Sequence, residues 1–292
     1  MINLEKELIY FIKERHAVYM RRFLEQPRPW TKDPLLQMYR FCNIYRELDA
    51  VTVWIAKNWR EKHKDDKDVW FAMCVARWIN LPETLDDLGY PKTWNPEKFR
   101  ATMERRKRNH QKLVNGAYMI TTHGDKQPLP EFLTGLFTTL WSRRAELRPR
   151  AGDTLKSFTE RLASVHHFGT FMAAQVTADV KYTTCLADAT DWWTWAASGP
   201  GSRRGLNRVL GRPLNAPWSE EEWLFELQKL HATVNKVIEK LGYPRLHAQD
   251  LQSCNCEIDK YLRAKNGEGR PKSRYPGGGC VEESSCRRNT KR

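Results

Sequence analysis

The sequence predicts an all-α protein, and three observations carry that expectation. Apolar residues recur at helical spacing through most of the 292 residues. Alternating β-branched runs bounded by turn residues do not recur. Periodic stretches open on helix-start signals, clearest at Ser219, which has Glu222 three residues on in a capping-box pattern.

Taken in order, residues 1–23 place Leu4, Leu8, Ile9, Phe11 and Ile12 between charges, which predicts an amphipathic helix and not a secretion signal. Residues 35–60 read as one long amphipathic helix, and 68–79 (DVWFAMCVARWI) as a buried helix, apolar on most faces. A Pro/Gly-punctuated connector with short helices of its own leads to a strongly basic helix at 99–113. Residues 115–130 read as a loop or short ribbon, and helices resume at 131–142, 154–164 and 167–182. A short helix at 203–210, a long one at 219–241 and a last one at 249–264 complete the pattern. The expected organisation is one mainly helical domain over 1–275, open to a two-lobed arrangement, and a basic Gly/Ser-rich flexible tail at 276–292. No uninterrupted apolar run approaches the roughly 18 residues a membrane span needs, so no membrane partner is expected.

Charge narrows the function classes. Lys and Arg number 49 against 35 Asp and Glu, net +14, alongside twelve Trp and ten Tyr. Basic plus aromatic is the composition of proteins that grip phosphates and stack on bases, although a merely basic surface has the same totals. The excess is uneven: 260–292 carries ten Lys/Arg and three Glu, half of the net charge. A second basic run lies at 100–112, and Arg203 and Arg204 form a third cluster. Seven cysteines without a disulfide rhythm fit a reducing compartment. Cys42, Cys74 and Cys185 sit in apolar patterns as packing residues. Cys254, Cys256, Cys280 and Cys286 cluster near the C-terminus, but C-x-C, a long Gly-rich gap and C-x5-C match no standard ligand pattern, so no metal is assigned.

The sharpest local motif is Ser198-Gly199-Pro200-Gly201-Ser202-Arg203-Arg204-Gly205. A tight Gly-Pro-Gly turn with positive-φ glycines, followed at once by a helix, would present backbone N–H groups to a phosphate, with Arg203 and Arg204 adding charge. An ordinary interhelical turn is the alternative. The motif resembles the helix-hairpin-helix element of the DNA glycosylases, which grips DNA backbone beside a flipped nucleotide. Those enzymes place an aspartate at the start of a later helix, and the candidate here is Asp250, either pocket carboxylate or plain N-cap.

Four motifs in order carry a wider resemblance. They are 37–49 (QMYRFCNIYRELD), then Gly169-x-Phe171-Met172-x-x-Gln175-Val176-x-x-Asp179, then the Gly-Pro-Gly segment, then Gln252-x-Cys254-x-Cys256-Glu257-x-Asp259-Lys260-Tyr261-Leu262-Arg263. Over about 30–275 the chain resembles the α-glutamyl/putrescinyl thymine pyrophosphorylase group, which includes the helical domain named after 5-hydroxymethyluracil DNA kinases. The resemblance implies an all-α, glycosylase-like fold and an enzyme of phages that hypermodify thymidine, working in the cytoplasm of the infected or bacterial host cell. No Gly-x-x-x-x-Gly-Lys-Ser/Thr sequence is present, so the kinase reaction itself is not expected of this chain.

The implied chemistry is transfer. A 5-hydroxymethyluracil in DNA, activated by phosphorylation, loses phosphate or pyrophosphate to an amino acid or polyamine. That needs cations around the leaving oxygens, a carboxylate for the amine proton and a pocket for an extruded base. The expected catalytic residues are Asp250, Glu47, Arg46 and Asn43, the last three sharing one face if 35–60 is a helix. The same three would alternatively form a structural polar network with Gln175, Asp179 and Lys260. Gln175, Asp179 and Phe171 are the expected base-binding residues, with a Phe/Met core stripe as the alternative. Gly199, Gly201, Ser202, Arg203, Arg204, Lys260 and Arg263 are the expected phosphate contacts. The expected partners are double-stranded DNA with modified pyrimidines and an amino acid or polyamine, bound by a monomer without cofactor. Excision of a hypermodified pyrimidine by a glycosylase, with Asp250 stabilising the sugar cation, is the second reading.

Overall fold

A computed structural model describes residues 4–116 and 127–275. Thirteen α-helices, two 3-10 turns, one π-helical turn and one isolated antiparallel bridge, Tyr39 with Arg274, make up the regular structure of these residues. In chain order the helices are α1 (Leu4–Phe23), α2 (Pro34–Met38), α3 (Ala50–Ile55), α4 (Val69–Ile79), α5 (Pro82–Leu88), α6 (Pro96–Arg108) and α7 (Leu129–Ser142). They continue with α8 (Arg144–Leu147), α9 (Leu155–Ala163), α10 (Gly169–Val180), α11 (Pro200–Val209), α12 (Glu220–Lys240) and α13 (Ala248–Lys265).

Two buried apolar clusters organise these helices. The first surrounds α4, whose eleven residues are all buried, and draws in α7, α9 and α10. The second joins α1, α11, α12 and α13. Leu224 packs against both, so the clusters are neighbours. No helix among the described residues is long and apolar enough to cross a membrane. The tail at 276–292, with Cys280 and Cys286, and most of the expected 115–130 loop lie outside the described residues.

The expected long helix at 35–60 is the main correction. It breaks into α2, an extended stretch, a 3-10 turn Arg46–Leu48, α3 and a π-helical turn Ala56–Arg60. Tertiary pairing outcompetes helix formation here: the Arg40 amide donates to the Ser273 carbonyl and the Tyr275 amide to the Met38 carbonyl, both at 3.0 Å. Asn43, Arg46 and Glu47 therefore do not share a helical face, and Cys42 is exposed instead of packed.

The Gly-Pro-Gly segment is corrected as well. α11 starts at Pro200, three residues early, because proline is preorganised for the first helical position. Gly199 is extended with φ −149°, and neither it nor Gly201 adopts positive φ. The glycines serve close packing instead. A Cβ on Gly205 would lie 1.8 Å from the Asn255 carbonyl oxygen, and one on Gly201 2.5 Å from Cys256 Sγ. Small residues thus let α11 approach the backbone of α13 at Gly205 and the Cys256 side chain at Gly201.

Candidate functional site

The functional candidates meet where the end of α10, the start of α13 and the 43–49 segment converge. At the centre is Asp179, fully buried. Its Oδ1 accepts from Arg46 Nη1 at 2.8 Å and from Arg77 Nη2 at 2.6 Å, and Arg77 Nε donates to Oδ2. Burial alone would raise this carboxyl; Arg46 and Arg77 outweigh it and hold the group well below the usual range. Arg46 Nη2 also donates to the Gln175 carbonyl at 3.1 Å, which ties the 3-10 turn to α10. Arg60 Nη1 lies 3.8 Å from Asp179 and also donates to Glu47 Oε1 at 3.1 Å. A second Arg60–Glu47 bond at 2.5 Å makes that pair bidentate. Glu47 is the outward carboxylate of the group, its side chain 29% exposed.

Asp250 does not cap α13 by itself. The N-cap is His247, and Asp250 sits three residues on, its Oδ2 accepting the His247 amide at 3.0 Å. Its Oδ1 accepts the Arg46 amide at 2.9 Å, across 204 positions of sequence. One carboxylate therefore fastens the 46–48 turn to the start of α13. Burial pushes this carboxyl up, opposed by those two N–H bonds.

Next to it lies Lys181, 2% exposed, with Nζ 3.1 Å from His247 Nδ1, 3.5 Å from the Trp192 carbonyl and 4.2 Å from the Trp192 ring centroid. Burial lowers the Lys181 ammonium to about 8. The Tyr182 hydroxyl is also 3.1 Å from His247 Nδ1. An ammonium can only donate, so Nδ1 is the acceptor and the imidazole proton resides on Nε2. Burial first, and the Lys181 charge second, depress His247 to about 3, so the ring is neutral near pH 7. Nδ1 stands 3.5 Å from Asp250 Oδ2, but a neutral imidazole makes no ion pair there.

The remaining expected residues lie around this centre. Asn43 donates from Nδ2 to the Leu48 carbonyl at 2.8 Å and from its amide to Asp49 at 2.9 Å, bracing the turn that carries Arg46 and Glu47. Gln175 is half-buried and Phe171 is 53% exposed, while Met172 is buried, so the expected Phe/Met stripe splits between surface and core. Ser202 is buried, its hydroxyl bonded to the Gly199 carbonyl at 3.0 Å. Arg203 donates to Ser198 and to the Trp218 carbonyl and pairs with Glu220. Asp259 stands 3.4 Å from both Arg204 and Arg263, and Lys260 pairs with Glu257 at 2.5 Å. Cys254 is buried, with its thiol pushed up by that burial, and Cys256 lies against Gly201. Among the described residues no group of three His, Cys, Asp or Glu could hold a metal ion.

Lys181, Tyr182, His247, Arg60 and Arg77 were not singled out from the sequence. A signal existed for two of them. Arg77 is the one charge inside an otherwise apolar run, and His247 stands three residues before Asp250, the spacing of a reciprocal cap.

A family model described as "5-hmdU DNA kinase, helical domain" matches residues 3–270. A relative from Bacillus phage SP10, described as a 5-hmdU DNA kinase, is 27% identical over 87% of this chain and 44% of its own length. The chain thus spans less than half of that relative. No solved structure matches.

Proposed function

Because this chain belongs to the 5-hmdU DNA kinase helical-domain family, we propose that it modifies 5-hydroxymethyluracil in phage DNA as an amine:DNA transferase. The amine nitrogen bonds to the exocyclic carbon of the activated base, and the carbon–oxygen bond breaks. The electron pair leaves on phosphate or pyrophosphate, and the ammonium proton passes to a carboxylate.

The observation that carries this reading is the cluster's composition: Arg46, Arg60, Arg77 and Lys181 surround Glu47, Asp179 and Asp250. Arg60 also pairs with Glu61 at 2.9 Å, so four cations face four carboxylates; what favours an anion that gains charge as it departs is the convergence of three guanidinium groups, Arg46, Arg60 and Arg77, on the single buried carboxylate of Asp179. Arg46 and Arg60 are assigned to the leaving oxygens and Glu47, the outward carboxylate, to the amine proton. Asp179 and Asp250 act through Arg46, one on its guanidinium and the other on its backbone, and Asn43 braces the same turn. Neutral His247 offers Nε2–H as a donor. Gln175 and the exposed Phe171 are the proposed contacts of the extruded base. The duplex is proposed to run along α11 and α13, over Gly199, Gly201, Ser202, Arg203, Arg204, Lys260 and Arg263. Absence of a P-loop from the sequence favours transfer over phosphorylation by this chain.

The test supplies DNA containing 5-hydroxymethyluracil, or its phosphorylated or pyrophosphorylated form, with glycine, glutamate or putrescine, and weighs the nucleosides after digestion. An amine-dependent mass gain supports transfer. Abasic sites without an adduct would assign excision in its place.

A further inference from the structure

The pairing of residues 38–40 with 273–275 does more than break the expected long helix. It seats Tyr275 beside the end of α1, and three guanidinium groups gather on that one ring. Those of Arg22, Arg28 and Arg40 stand 5.2, 5.4 and 5.4 Å from its centroid. Trp30 meets Tyr275 edge to face at 5.5 Å and carries Arg22 and Arg28 at 5.2 and 4.4 Å. Arg274, the bridge partner of Tyr39, lies 5.4 Å from the Tyr39 ring centroid. The rings are held in place: Tyr275 is buried, and Arg21 donates to the Trp30 carbonyl. The cations are not covered, since Arg22, Arg28, Arg40 and Arg274 are all exposed.

A ring face attracts a cation by about 0.5–1 kcal/mol at an exposed site but carries no net charge. The repulsion among guanidinium groups gathered on it is therefore left uncompensated. Neither Arg22 nor Arg40 has a carboxylate within 4.0 Å among the described residues. The carboxylate on the wall of the cavity they share is Asp49, which accepts the Asn43 amide at 2.9 Å. Burial pushes that carboxyl up, opposed by this bond and then by the charges of Arg15 and Arg46. On α11 and α13 the balance differs: Arg203, Arg204, Lys260 and Arg263 each have a carboxylate partner. Residues 269–275 add Arg270, Lys272 and Arg274 and no acid.

A polyanion with closely and regularly spaced charges fits such a cluster. One strand of a duplex offers a phosphate every roughly 3.4 Å along its axis. A guanidinium fork matches phosphate oxygens two at a time, and stacking on a fixed ring orients it beforehand. The cluster also adjoins α13, because Phe41 lines the same cavity and Lys260 Nζ stands 5.0 Å from the Phe41 ring centroid.

We propose that Arg22 and Arg40, seated on Tyr275, are the main phosphate grip of this chain on duplex DNA, flanked by Arg28 and Arg274. The backbone leaves the α11–α13 face by way of Lys260 and crosses this cluster. The grip reads no base, so it holds ordinary and modified duplexes alike. The proposal rests on the DNA reading above and places most of the electrostatic affinity outside the reacting-base pocket.

The test is fluorescence anisotropy of the full chain, over a range of salt, with a duplex of ordinary bases that offers the pocket no 5-hydroxymethyluracil. Arg22→Gln together with Arg40→Gln should weaken binding at least about tenfold and lower the salt slope by about two. Arg22→Lys together with Arg40→Lys keeps both charges and should recover the slope. Arg203→Gln together with Arg263→Gln, where the cations are already paired, should lower the slope by less than about one. A wild-type slope in the glutamine pair, an equal loss in the lysine pair, or as large a loss in the Arg203 and Arg263 pair overturns the proposal. No binding of duplex by the wild-type chain also overturns it, and leaves the cluster to an acidic protein surface. The transfer reading fails separately, by an absent adduct while the salt slope and its loss persist.

Discussion

Arg46 Nη1 and Asp179 Oδ1 lie 2.8 Å apart although 133 positions separate them in sequence. The contact ties the irregular 43–49 segment to a fully buried carboxylate on α10, and Arg77 holds the same carboxylate from α4. The site is thus anchored in the core while its outer carboxylate, Glu47, reaches the surface.

Asp179→Asn tests that anchor. Removing the charge leaves Arg77 and Arg46 buried against a neutral amide, and loss of one partner from a buried pair costs roughly 3–5 kcal/mol. Urea unfolding should show a midpoint lowered accordingly. A stability unchanged within 0.5 kcal/mol, on the order of a neutral surface change, would mean the carboxylate does not hold the core.

Lys181→Met should act in the opposite direction on stability. The ammonium is held near 8 by burial, below its ordinary 10.5, so charging it in the folded state costs on the order of 3 kcal/mol near pH 7. For the wild-type chain this group makes stability rise with pH between about 8 and 10.5, where only the unfolded chain binds the proton. The variant should be more stable at pH 7, lack that rise and lose activity. Destabilisation at pH 7 would contradict the assignment.

His247 has the same sign at lower pH. Its ring is held at about 3 against 6.5 when unfolded, so the unfolded chain alone takes up the proton as the pH falls from 6.5 toward 3. Stability from this group is complete above pH 6.5 and lost through that window. His247→Gln should flatten the corresponding part of the midpoint-against-pH curve, and identical curves would remove His247 from the account.

Gly205→Ala addresses the contact between α11 and α13. The new methyl would sit 1.8 Å from the Asn255 carbonyl oxygen, a backbone atom, so the helices must separate. A loss of about 1–3 kcal/mol or more is expected from such overpacking. Arg203→Ala, on the partly exposed side of the same helix, should change stability little. Equal effects of the two would contradict the close approach.

Much of the fold was legible because helix periodicity and caps are local. The helix expected at 219–241 appears as α12 behind Ser219 and Glu222, and the apolar 68–79 stretch is the wholly buried α4. The 35–60 stretch departs from its local pattern because its conformation depends on pairing with residues 273–275, more than 200 positions away. The same remoteness hid the site. Asp179 was identifiable as a carboxylate in a motif and Asp250 as one at a helix start, but nothing near them in sequence says that each grips a different part of Arg46. Lys181 ends the 167–182 helical pattern, and only the fold brings Trp192 and His247 over it. Gly201 and Gly205 matter by their small size, which permits the helix contact, and not by positive φ.

The most direct test of the transfer claim is a stoichiometry. DNA bearing phosphorylated or pyrophosphorylated 5-hydroxymethyluracil is incubated with 15N-glycine and the protein, and released phosphate or pyrophosphate is counted against 15N retained in the digested nucleosides. The account expects one 15N retained per leaving group released, with Glu47→Gln slowing both together by about 100-fold or more. Release of the leaving group without nitrogen in the DNA, or abasic sites in its place, would contradict it.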